Sequence, residues 1–349
     1  MCPKSCLCHL PRLYLLGLIH LEIKMYALFT QFFPPTAALT EENIPSQKGR
    51  VFIVTGGASG IGFQLSAILY RAGGSVYIAG RSKEDAQRSI QKIESSSEGS
   101  GGKLVYLPLH LEDLSTIKAS VETFKSKETK LDVLWNNAGV SLPPVGSKSC
   151  QGHELMLATN CLGSFLLTQL LRPLLETAAK TSPLAAVRVV WTSTQVVDMN
   201  APREGIIMAD LTGPGPVPVN QTRNYVTSKT GNWFLASELG REVAPRGILS
   251  LVQNPGNVNT NLLRHVKWMK FFSLPLLHNA KFGAYTELWS GLSSDLTMEH
   301  TGAYVIPWGR LHPSPRQDLL DALQPKESRG TGVANEFWGW CLEQISEYM

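Results

Sequence analysis

The chain has 349 residues, of which 43% are hydrophobic, and a formal net charge of +4 at pH 7. This hydrophobic content is ample for a buried core, and the length accommodates one large α/β domain or two smaller domains. Lysine and arginine residues are spread along the chain without forming a block, which argues against nucleic acid as a partner.

The first 48 residues are expected to be an extension that precedes the folded domain. Their apolar run at residues 13–19 is only seven residues long, whereas a membrane-spanning helix needs about 20 apolar residues. A transmembrane helix is therefore not expected, and no clear signal-peptide cleavage site follows the run. An interfacial membrane anchor stays open, as does a translation start at Met25, which would make the preceding residues dispensable.

The six cysteines do not form the pattern of a disulfide framework, since Cys2, Cys6 and Cys8 lie at the extreme N-terminus and the others are scattered. This usage favours a reducing compartment, and we expect the cytoplasm. The three N-terminal cysteines and His9 offer metal-ligand chemistry, but no second ligand pair follows them. An incidental cluster in a terminal tail is the favoured interpretation, and no metal site is expected.

From residue 50 onward, short apolar runs alternate with helical patterns. Strands are predicted at residues 51–54, 75–79, 104–107, 131–135, 187–192, 249–252 and 304–306. Helices are predicted at residues 61–72, 84–94 and about 154–171. Two more are predicted, one between the third and fourth strands and one around residue 225. This alternation predicts an α/β fold of the Rossmann type, with a doubly wound parallel sheet and helices on both faces. We expect one domain at 49–312 and a C-terminal helical tail at 313–349.

The turn at residues 55–62 has the sequence TGGASGIG and lies between a predicted strand and a predicted helix. In this position, backbone N–H groups and the N-terminus of the helix can bind a pyrophosphate. The glycine spacing is Gly-x-x-x-Gly-x-Gly, which differs from the Gly-x-Gly-x-x-Gly of the commoner dinucleotide fingerprint. An ordinary glycine-rich turn is the alternative interpretation of this segment taken alone.

Tyr225 and Lys229 are four residues apart on a predicted helix, so they share one face. An ammonium beside a phenol favours the phenolate and is expected to lower the tyrosine pKa from about 10. Such a phenol can pass a proton to or from an alcohol oxygen. A Tyr-x-x-x-Lys spacing is common on exposed helices, so its significance depends on the motifs around it.

Six motifs in this order resemble the short-chain dehydrogenase/reductase family over residues 49–307. They are the TGGASGIG turn, Asn136-Asn137-Ala138-Gly139, Asn160, Ser193-Thr194, the Tyr225/Lys229 pair, and PGNVNT at residues 255–260. Within the family the chain looks most like the retinol-dehydrogenase-like group of fungi, which residues 304–310 (YVIPWGR) and 336–338 (EFW) also resemble. The resemblance implies that Tyr225 is the general acid/base and that Lys229 lowers its pKa and holds the nicotinamide ribose. It further implies that Asn160 fixes a water in a proton relay through Lys229.

The resemblance also implies a set of cofactor-binding residues. These are Gly56, Ser59, Gly60, Ile61, Gly62, Arg81, His110, Leu111, Asn136, Asn137, Ala138, Gly139, Tyr225, Lys229, Val258 and Thr260. Two positions depart from the family pattern. The catalytic serine aligns most naturally with Thr194, with Ser193 as the alternative, and either hydroxyl can donate to a carbonyl oxygen. His110 replaces the aspartate that usually binds the adenine amino group.

The end of the second predicted strand indicates the cofactor. An acidic residue there would bond the ribose 2′-hydroxyl and repel a 2′-phosphate. This chain has Gly80 at that position, followed by Arg81, whose guanidinium can form a charge-assisted pair with phosphate. NADP(H) is therefore the expected cofactor, and a solvated arginine is the alternative.

A segment at about residues 261–283 is rich in tryptophan, phenylalanine and leucine and is expected to form a lid over a lipophilic small substrate. The expected function is NADP-dependent interconversion of an alcohol with a ketone or aldehyde, an activity that the resemblance connects with fungal secondary metabolism. A catalytically weak NADP-binding sensor or scaffold, and a membrane-associated lipid or retinoid reductase, are the alternatives. Assembly into a homo-oligomer is left open.

Overall fold

One sheet organises the computed structural model, which describes residues 25–97, 99, 101–213, 220–259 and 277–349. Its strands are β1 (Val51–Thr55), β2 (Ser75–Gly80), β3 (Lys103–Pro108), β4 (Val133–Asn136), β5 (Val187–Thr192), β6 (Ile248–Gln253), β7 (Tyr304–Ile306) and β8 (Arg310–Leu311). They lie in the order β3-β2-β1-β4-β5-β6-β7-β8. All neighbouring strands run parallel except β7 and β8, which are antiparallel. The doubly wound parallel sheet expected from the sequence is thus confirmed.

Helices cover both faces of the sheet. They are α1 (Gly60–Arg71), α2 (Lys83–Ser95), α3 (Leu114–Lys125), α4 (Leu155–Leu157, the π-helical turn Ala158–Gly163, and Ser164–Ala179), α5 (Val196–Asn200), α6 (Ala209–Thr212), α7 (Gln221–Val243), α8 (Ala280–Leu292), α9 (Gln317–Leu323) and α10 (Val333–Ile345). Helices α1 and α8 pack on one face in a core with β1, β4 and β6. Helices α3, α4, α7 and α10 contribute to the core on the opposite face.

The strand order reverses between β1 and β4, because the chain moves outward to β3 and then returns to continue in the other direction. At such a switch point the loops that follow adjacent strands diverge and leave a crevice at the carboxyl ends of the strands. The loops after β1, β4, β5 and β6 all leave the sheet at this edge. The topology therefore predicts a binding site at this position.

The chain segments on either side of the expected domain are attached to it. In α10, Phe337 and Cys341 are fully buried in the same core as α7. Residues 25–32 are helical, and the Gln31 side chain is buried where Asn254 Nδ2 donates to its Oε1 at 2.8 Å. The helix at 25–32 and α10 therefore both pack against the central domain.

The expected lid is described only at its end. Residues 277–283 belong to the described part of the chain, and from Ala280 they form the first turn of α8. Gly283 lies against Ile61 of α1, so this turn packs on the domain. The aromatic residues of the expected lid, the Cys2–Cys8 cluster and the proline-rich insertion at 214–219 lie outside the described residues. In the part that is described, no helix is long and apolar enough to cross a membrane.

Gly291 lets α8 approach the sheet, since a Cβ there would lie 2.1 Å from Trp135 Cζ2. We expect Gly291→Ala to destabilise the fold by about 1–3 kcal/mol through overpacking. Gly339 of α10 is the matched control, because a Cβ there meets nothing within 4 Å, and Gly339→Ala should stabilise its helix by about 0.5–1 kcal/mol. Urea unfolding of both variants measures the difference, and equal stabilities would contradict this account of the α8 contact.

Candidate active site

A cleft of about 500 Å³ opens at the carboxyl edge of the sheet. It is lined by the loops after β1 to β6 together with one face of α7. Most of the residues that the sequence singled out share this cleft, namely Gly56, Ser59, Gly60, Ile61, Arg81, Leu111, Asn137, Ala138, Gly139, Ser193, Thr194, Tyr225, Lys229 and Val258. The structure thus brings together motifs that are spread from Gly56 to Val258 in the sequence, as a switch-point site requires.

Some of the expected site residues do not line the cleft. Asn136 is buried, and its Nδ2 donates to Thr168 Oγ1 at 2.9 Å, so it ties β4 to α4. The exposed His110 lies outside the lining residues, where its Nδ1 is 3.6 Å from Glu112 Oε1. Thr260 lies outside the described residues. Leu111 and Glu112 line the cleft beside His110, and the adenine contact through this histidine stays a prediction.

The glycine-rich turn after β1 forms a cradle that a side chain would fill. Gly60, which opens α1, has a φ of +55°, a conformation that disfavours other residues. A Cβ on Gly62 would lie 2.5 Å from the carbonyl oxygen of Gly56, so only glycine fits there. Asn137 Nδ2 donates to Thr55 O at 2.7 Å and holds the turn against the loop after β4. A backbone cradle at the N-terminus of a helix fits the pyrophosphate of a dinucleotide.

The buried Lys229 is fixed by the end of β5. Its Nζ donates to the main-chain carbonyl of Thr192 at 3.1 Å, and Asn232 Nδ2 donates to the same oxygen at 2.8 Å. In return, Ser193 Oγ donates to the carbonyl of Lys229 at 2.9 Å. Burial lowers the pKa of Lys229 to about 8, although negative charge on Cys161 and on Glu287 would raise it.

Tyr225 lies one helical turn before Lys229 and meets two hydroxyl groups. Its phenol forms hydrogen bonds with Thr194 and Ser141, and both interactions lower its pKa. Burial has the larger effect and raises the pKa of Tyr225 to about 12. The lowered pKa expected from the sequence is therefore not found. The physical reason is that the phenol is desolvated while the nearby Lys229 ammonium is directed to the carbonyl of Thr192.

The structure distinguishes the two candidate hydroxyl groups after β5. Ser193 is buried, and its Oγ is engaged with the Lys229 carbonyl, while Tyr304 OH lies 3.5 Å away. Thr194 is half-buried and bonds the Tyr225 phenol inside the cleft. Tyr304 OH also donates to the main-chain carbonyl of Thr194 at 2.8 Å, which fixes this residue from behind. Thr194 is thus the hydroxyl that faces Tyr225.

Asn160 lies beside the cleft in the π-helical turn of α4. Its Oδ1 accepts from Val140 N at 2.8 Å, and its Nδ2 donates to Val140 O at 3.1 Å and to Ser228 Oγ at 2.9 Å. The side chain therefore joins the loop after β4 to α7. Gly139 permits this approach, because a Cβ there would lie 3.0 Å from Asn160 Oδ1 and 3.2 Å from Lys229 Nζ.

Arg81 lies at the far end of the cleft, on the loop after β2. Its side chain is 55% exposed, and Nη1 is 3.5 Å from Glu112 Oε1. A Cβ built on Gly80 meets nothing within 4 Å, so the space beside the guanidinium is open. Ser82 Oγ accepts from Asp85 N and caps α2 immediately after this point. A cation, an open space and a helix N-terminus together suit a phosphate group.

Three functional candidates escaped the analysis of the sequence. Ser141 bonds Tyr225, Glu112 faces Arg81, and the buried Glu287 of α8 bonds the Thr192 side chain at the end of β5. Ser141 follows the Asn-Asn-Ala-Gly motif by two residues, and Glu287 is the single acid in an otherwise uncharged stretch of α8, so each left a faint signal. The described residues contain no group of histidine, cysteine, aspartate and glutamate side chains that could hold a metal ion.

Comparison with known proteins agrees with this geometry. A family model described as short chain dehydrogenase matches residues 50–270. A short-chain dehydrogenase/reductase of Pestalotiopsis fici, named iacJ, is 42% identical over 91% of this chain and 97% of its own length. The relative pkfC of Emericella nidulans, which bears the same description, is 40% identical over 90% of this chain and 98% of its own.

Solved structures share the architecture. An uncharacterised protein from Mycobacterium paratuberculosis is 25% identical, with a TM-score of 0.64 over 89% of this chain and 98% of its own. The Pseudomonas aeruginosa protein RhlG, solved as an NADP active-site complex, is 24% identical with a TM-score of 0.57 over 76% of this chain and 98% of its own, a likeness in fold alone. With the matching family model and the extended identity to the fungal relatives, these findings establish that the chain belongs to the short-chain dehydrogenase/reductase family of oxidoreductases.

Proposed function

We propose that this protein is an NADP(H)-dependent oxidoreductase that interconverts an alcohol and a ketone or aldehyde on a lipophilic small molecule. The observation that carries the proposal is the meeting of the Tyr225 phenol with the Thr194 and Ser141 hydroxyls in the cleft that also holds the glycine-rich cradle. A proton donor and a hydrogen-bond donor beside a dinucleotide cradle are the groups that carbonyl reduction needs.

Each group has a definable task in this reaction. A bound nicotinamide dinucleotide would supply or accept the hydride. Thr194 donates a hydrogen bond to the substrate oxygen, and Tyr225 gives that oxygen its phenolic proton. Because burial raises the pKa of Tyr225 to about 12, the phenol is protonated at neutral pH and acts as an acid. The protonated phenol can therefore donate to a carbonyl oxygen near neutral pH, whereas alcohol oxidation requires a higher pH.

Arg81 and Gly80 support NADP(H) as the cofactor. The guanidinium is exposed at the rim of the cleft, and the residue before it carries no side chain that would repel a 2′-phosphate. Glu112 opposes this preference, since its carboxylate lies 3.5 Å from Arg81. An exposed pair of this kind contributes little stability, so the guanidinium can exchange the carboxylate for a phosphate at small cost.

The substrate class follows from the opposite end of the cleft. Near Tyr225 the lining includes Val140, Pro143, Pro144 and Leu155, which suit an apolar molecule with one polar reacting group. The relatives from Pestalotiopsis fici and Emericella nidulans are fungal proteins, which supports a fungal secondary metabolite as the natural substrate. A panel of lipophilic aldehydes and ketones, assayed with NADPH, tests this proposal. No NADPH oxidation with any of them, nor with an extract of the producing organism, would count against it.

The first prediction concerns the cofactor. Arg81→Ala should lose about 1.5–3 kcal/mol of NADPH affinity, the contribution of a hydrogen bond to a charged group. Glu112→Gln should tighten NADPH binding by removing the competing carboxylate. Arg88→Ala is the control, since that arginine is exposed on α2 and pairs with Asp85. The dissociation constants of NADH and NADPH test this preference, and tighter binding of NADH than of NADPH would exclude NADP(H) as the preferred cofactor.

The second prediction separates the two hydroxyls after β5. Thr194→Ala should reduce turnover about a hundredfold or more, as loss of one donor to a developing oxyanion does. Ser193→Ala should mainly reduce stability, by about 1 kcal/mol, because its Oγ bonds the Lys229 carbonyl. Turnover and thermal unfolding of each variant provide the comparison. A larger loss of turnover from Ser193→Ala would assign the catalytic hydroxyl to Ser193.

The third prediction concerns the acid. Tyr225→Phe keeps the ring and should abolish turnover while NADPH still binds, because it removes the phenol that meets the Thr194 and Ser141 hydroxyls in the cleft. Lys229→Met should lose both turnover and cofactor affinity. Alcohol oxidation should increase with pH across the accessible range, since the raised pKa of Tyr225 leaves little phenolate at neutral pH. Substantial turnover by Tyr225→Phe would show that a different group supplies the proton.

A further inference from the structure

A buried carboxyl group lies directly behind the cleft. Glu287 of α8 is completely buried, and its Oε1 accepts from Thr192 Oγ1 at 3.0 Å and from Gln253 Nε2 at 2.7 Å. Gln253 Nε2 also donates to Thr192 Oγ1 at 3.0 Å, so the three side chains form a closed group. A buried acid of this kind is rare unless it is paired, and neither the catalytic mechanism nor the cofactor cradle accounts for it.

Thr192 connects this carboxyl to the active-site lysine. Its side chain bonds Glu287, while its main-chain carbonyl accepts from Lys229 Nζ at 3.1 Å and from Asn232 Nδ2 at 2.8 Å. One residue at the end of β5 therefore carries both contacts. A shift of the carboxyl would move Thr192 and with it the acceptor that orients the ammonium.

The hydrogen bonds of the carboxyl are incomplete. Among the described residues, Glu287 Oε2 and Gln253 Oε1 are both buried without a hydrogen-bond partner. A second oxygen without a donor leaves Glu287 dependent on a nearby charge for its ionised form. Lys229 is the charged group in the described residues whose field acts on Glu287, and it favours the ionised carboxylate.

Other charged groups next to α8 are engaged elsewhere. Arg188 of β5 donates to the carbonyls of Ser290 and Ser293 at the end of the helix. On the outer face of the helix, Lys281 and Tyr285 contact Glu41. On the far side of Lys229, Cys161 donates through Sγ to Ser228 O. Negative charge on Cys161 would act on Lys229 more strongly than that of Glu287, but burial raises the pKa of the Cys161 thiol far above its usual range and keeps it neutral. Glu287 is therefore the acid acting on Lys229, among the described residues, that can carry the compensating charge.

We propose that Glu287 is a positioning residue for Lys229, whose carboxylate holds Thr192 and compensates the buried ammonium through the end of β5. The proposal rests on the proposed function, because its consequence is that Lys229 stays charged and oriented for the cofactor. Burial raises the pKa of Glu287 to about 8 and lowers that of Lys229 to about 8. Each charge opposes the effect of burial on the other, so the two ionise most readily as a pair.

The pairing can be tested without any measurement of activity. Melting temperatures of the full chain, of Glu287→Gln, of Lys229→Met and of the double variant form a double-mutant cycle. At about pH 8, where both groups titrate, loss of Lys229 should lower the melting temperature less in the Glu287→Gln background, since no carboxylate is then left uncompensated. Additive shifts would overturn the proposal, whether or not the protein reduces carbonyls.

The role in the reaction is tested by the pH dependence of NADPH binding and of carbonyl reduction. Removing the carboxylate lowers the pKa of Lys229, so the pH at which NADPH affinity falls should move down by at least about half a unit in Glu287→Gln. Thr286→Val is the matched control, since Thr286 is equally buried on α8 and its Oγ1 has no hydrogen-bond partner among the described residues. It should leave the profile unchanged.

A loss of turnover in Glu287→Gln with an unshifted profile would show a merely structural role and overturn the proposal. If Glu287→Gln does not fold, Thr192→Val provides the decision. It keeps the carbonyl that accepts from Lys229 and removes the hydroxyl that donates to Glu287 and accepts from Gln253. The same downward shift of the profile supports the proposal, and an unshifted profile overturns it. If wild-type protein binds NADPH but reduces no carbonyl, the proposed function fails. The pH dependence of NADPH binding and the double-mutant cycle of melting temperatures still test the pairing of Glu287 with Lys229.

Discussion

The site depends on one main-chain acceptor, the carbonyl oxygen of Thr192 at the end of β5. Two side chains of α7 donate to it, those of Lys229 and Asn232, which are three residues apart on one face of the helix. Ser193 Oγ returns a hydrogen bond to the carbonyl of Lys229, so strand and helix are fastened in both directions. The helical rise then brings Tyr225, one turn earlier, opposite Thr194. Without this fastening, the spacing of four residues would place the two side chains on one face but not at the cleft.

A second set of contacts holds α7 from the other side. Cys161 Sγ donates to the carbonyl of Ser228 at 3.0 Å, and Asn160 reaches both Ser228 and the main chain of Val140. These contacts arise from the π-helical turn of α4, where one extra residue per turn redirects side chains that a regular helix would carry past the site. The helix that carries the phenol is thus held by β5 on one side and by α4 on the other, which leaves its reactive group a fixed position.

The sequence predicts features that depend on the periodicity of apolar residues and on the order of motifs along the chain. Strands at 187–192 and 304–306 were predicted to the residue, because a fully buried strand reads as a continuous apolar run. The glycine turn and the Tyr225/Lys229 spacing were recognisable because backbone geometry dictates them. The π-helical turn was not predicted, since it depends on side-chain contacts made by Asn160 with distant segments. Glu287 was missed for a similar reason, because only tertiary packing brings α8 against Thr192.

The sign of the Tyr225 pKa shift shows where local reasoning ends. A lysine four residues away suggested a lowered pKa, but burial disfavours the charged form of any group and here dominates. The same burial lowers the pKa of Lys229 to about 8, so an uncompensated site would hold a neutral phenol beside a weakly charged amine. That arrangement favours the protonated phenol, so taking a proton from an alcohol requires a higher pH than giving one to a carbonyl oxygen. Any group that keeps Lys229 charged favours the phenolate, so the pH dependence of the reaction is governed by what lies behind the lysine as much as by the tyrosine itself.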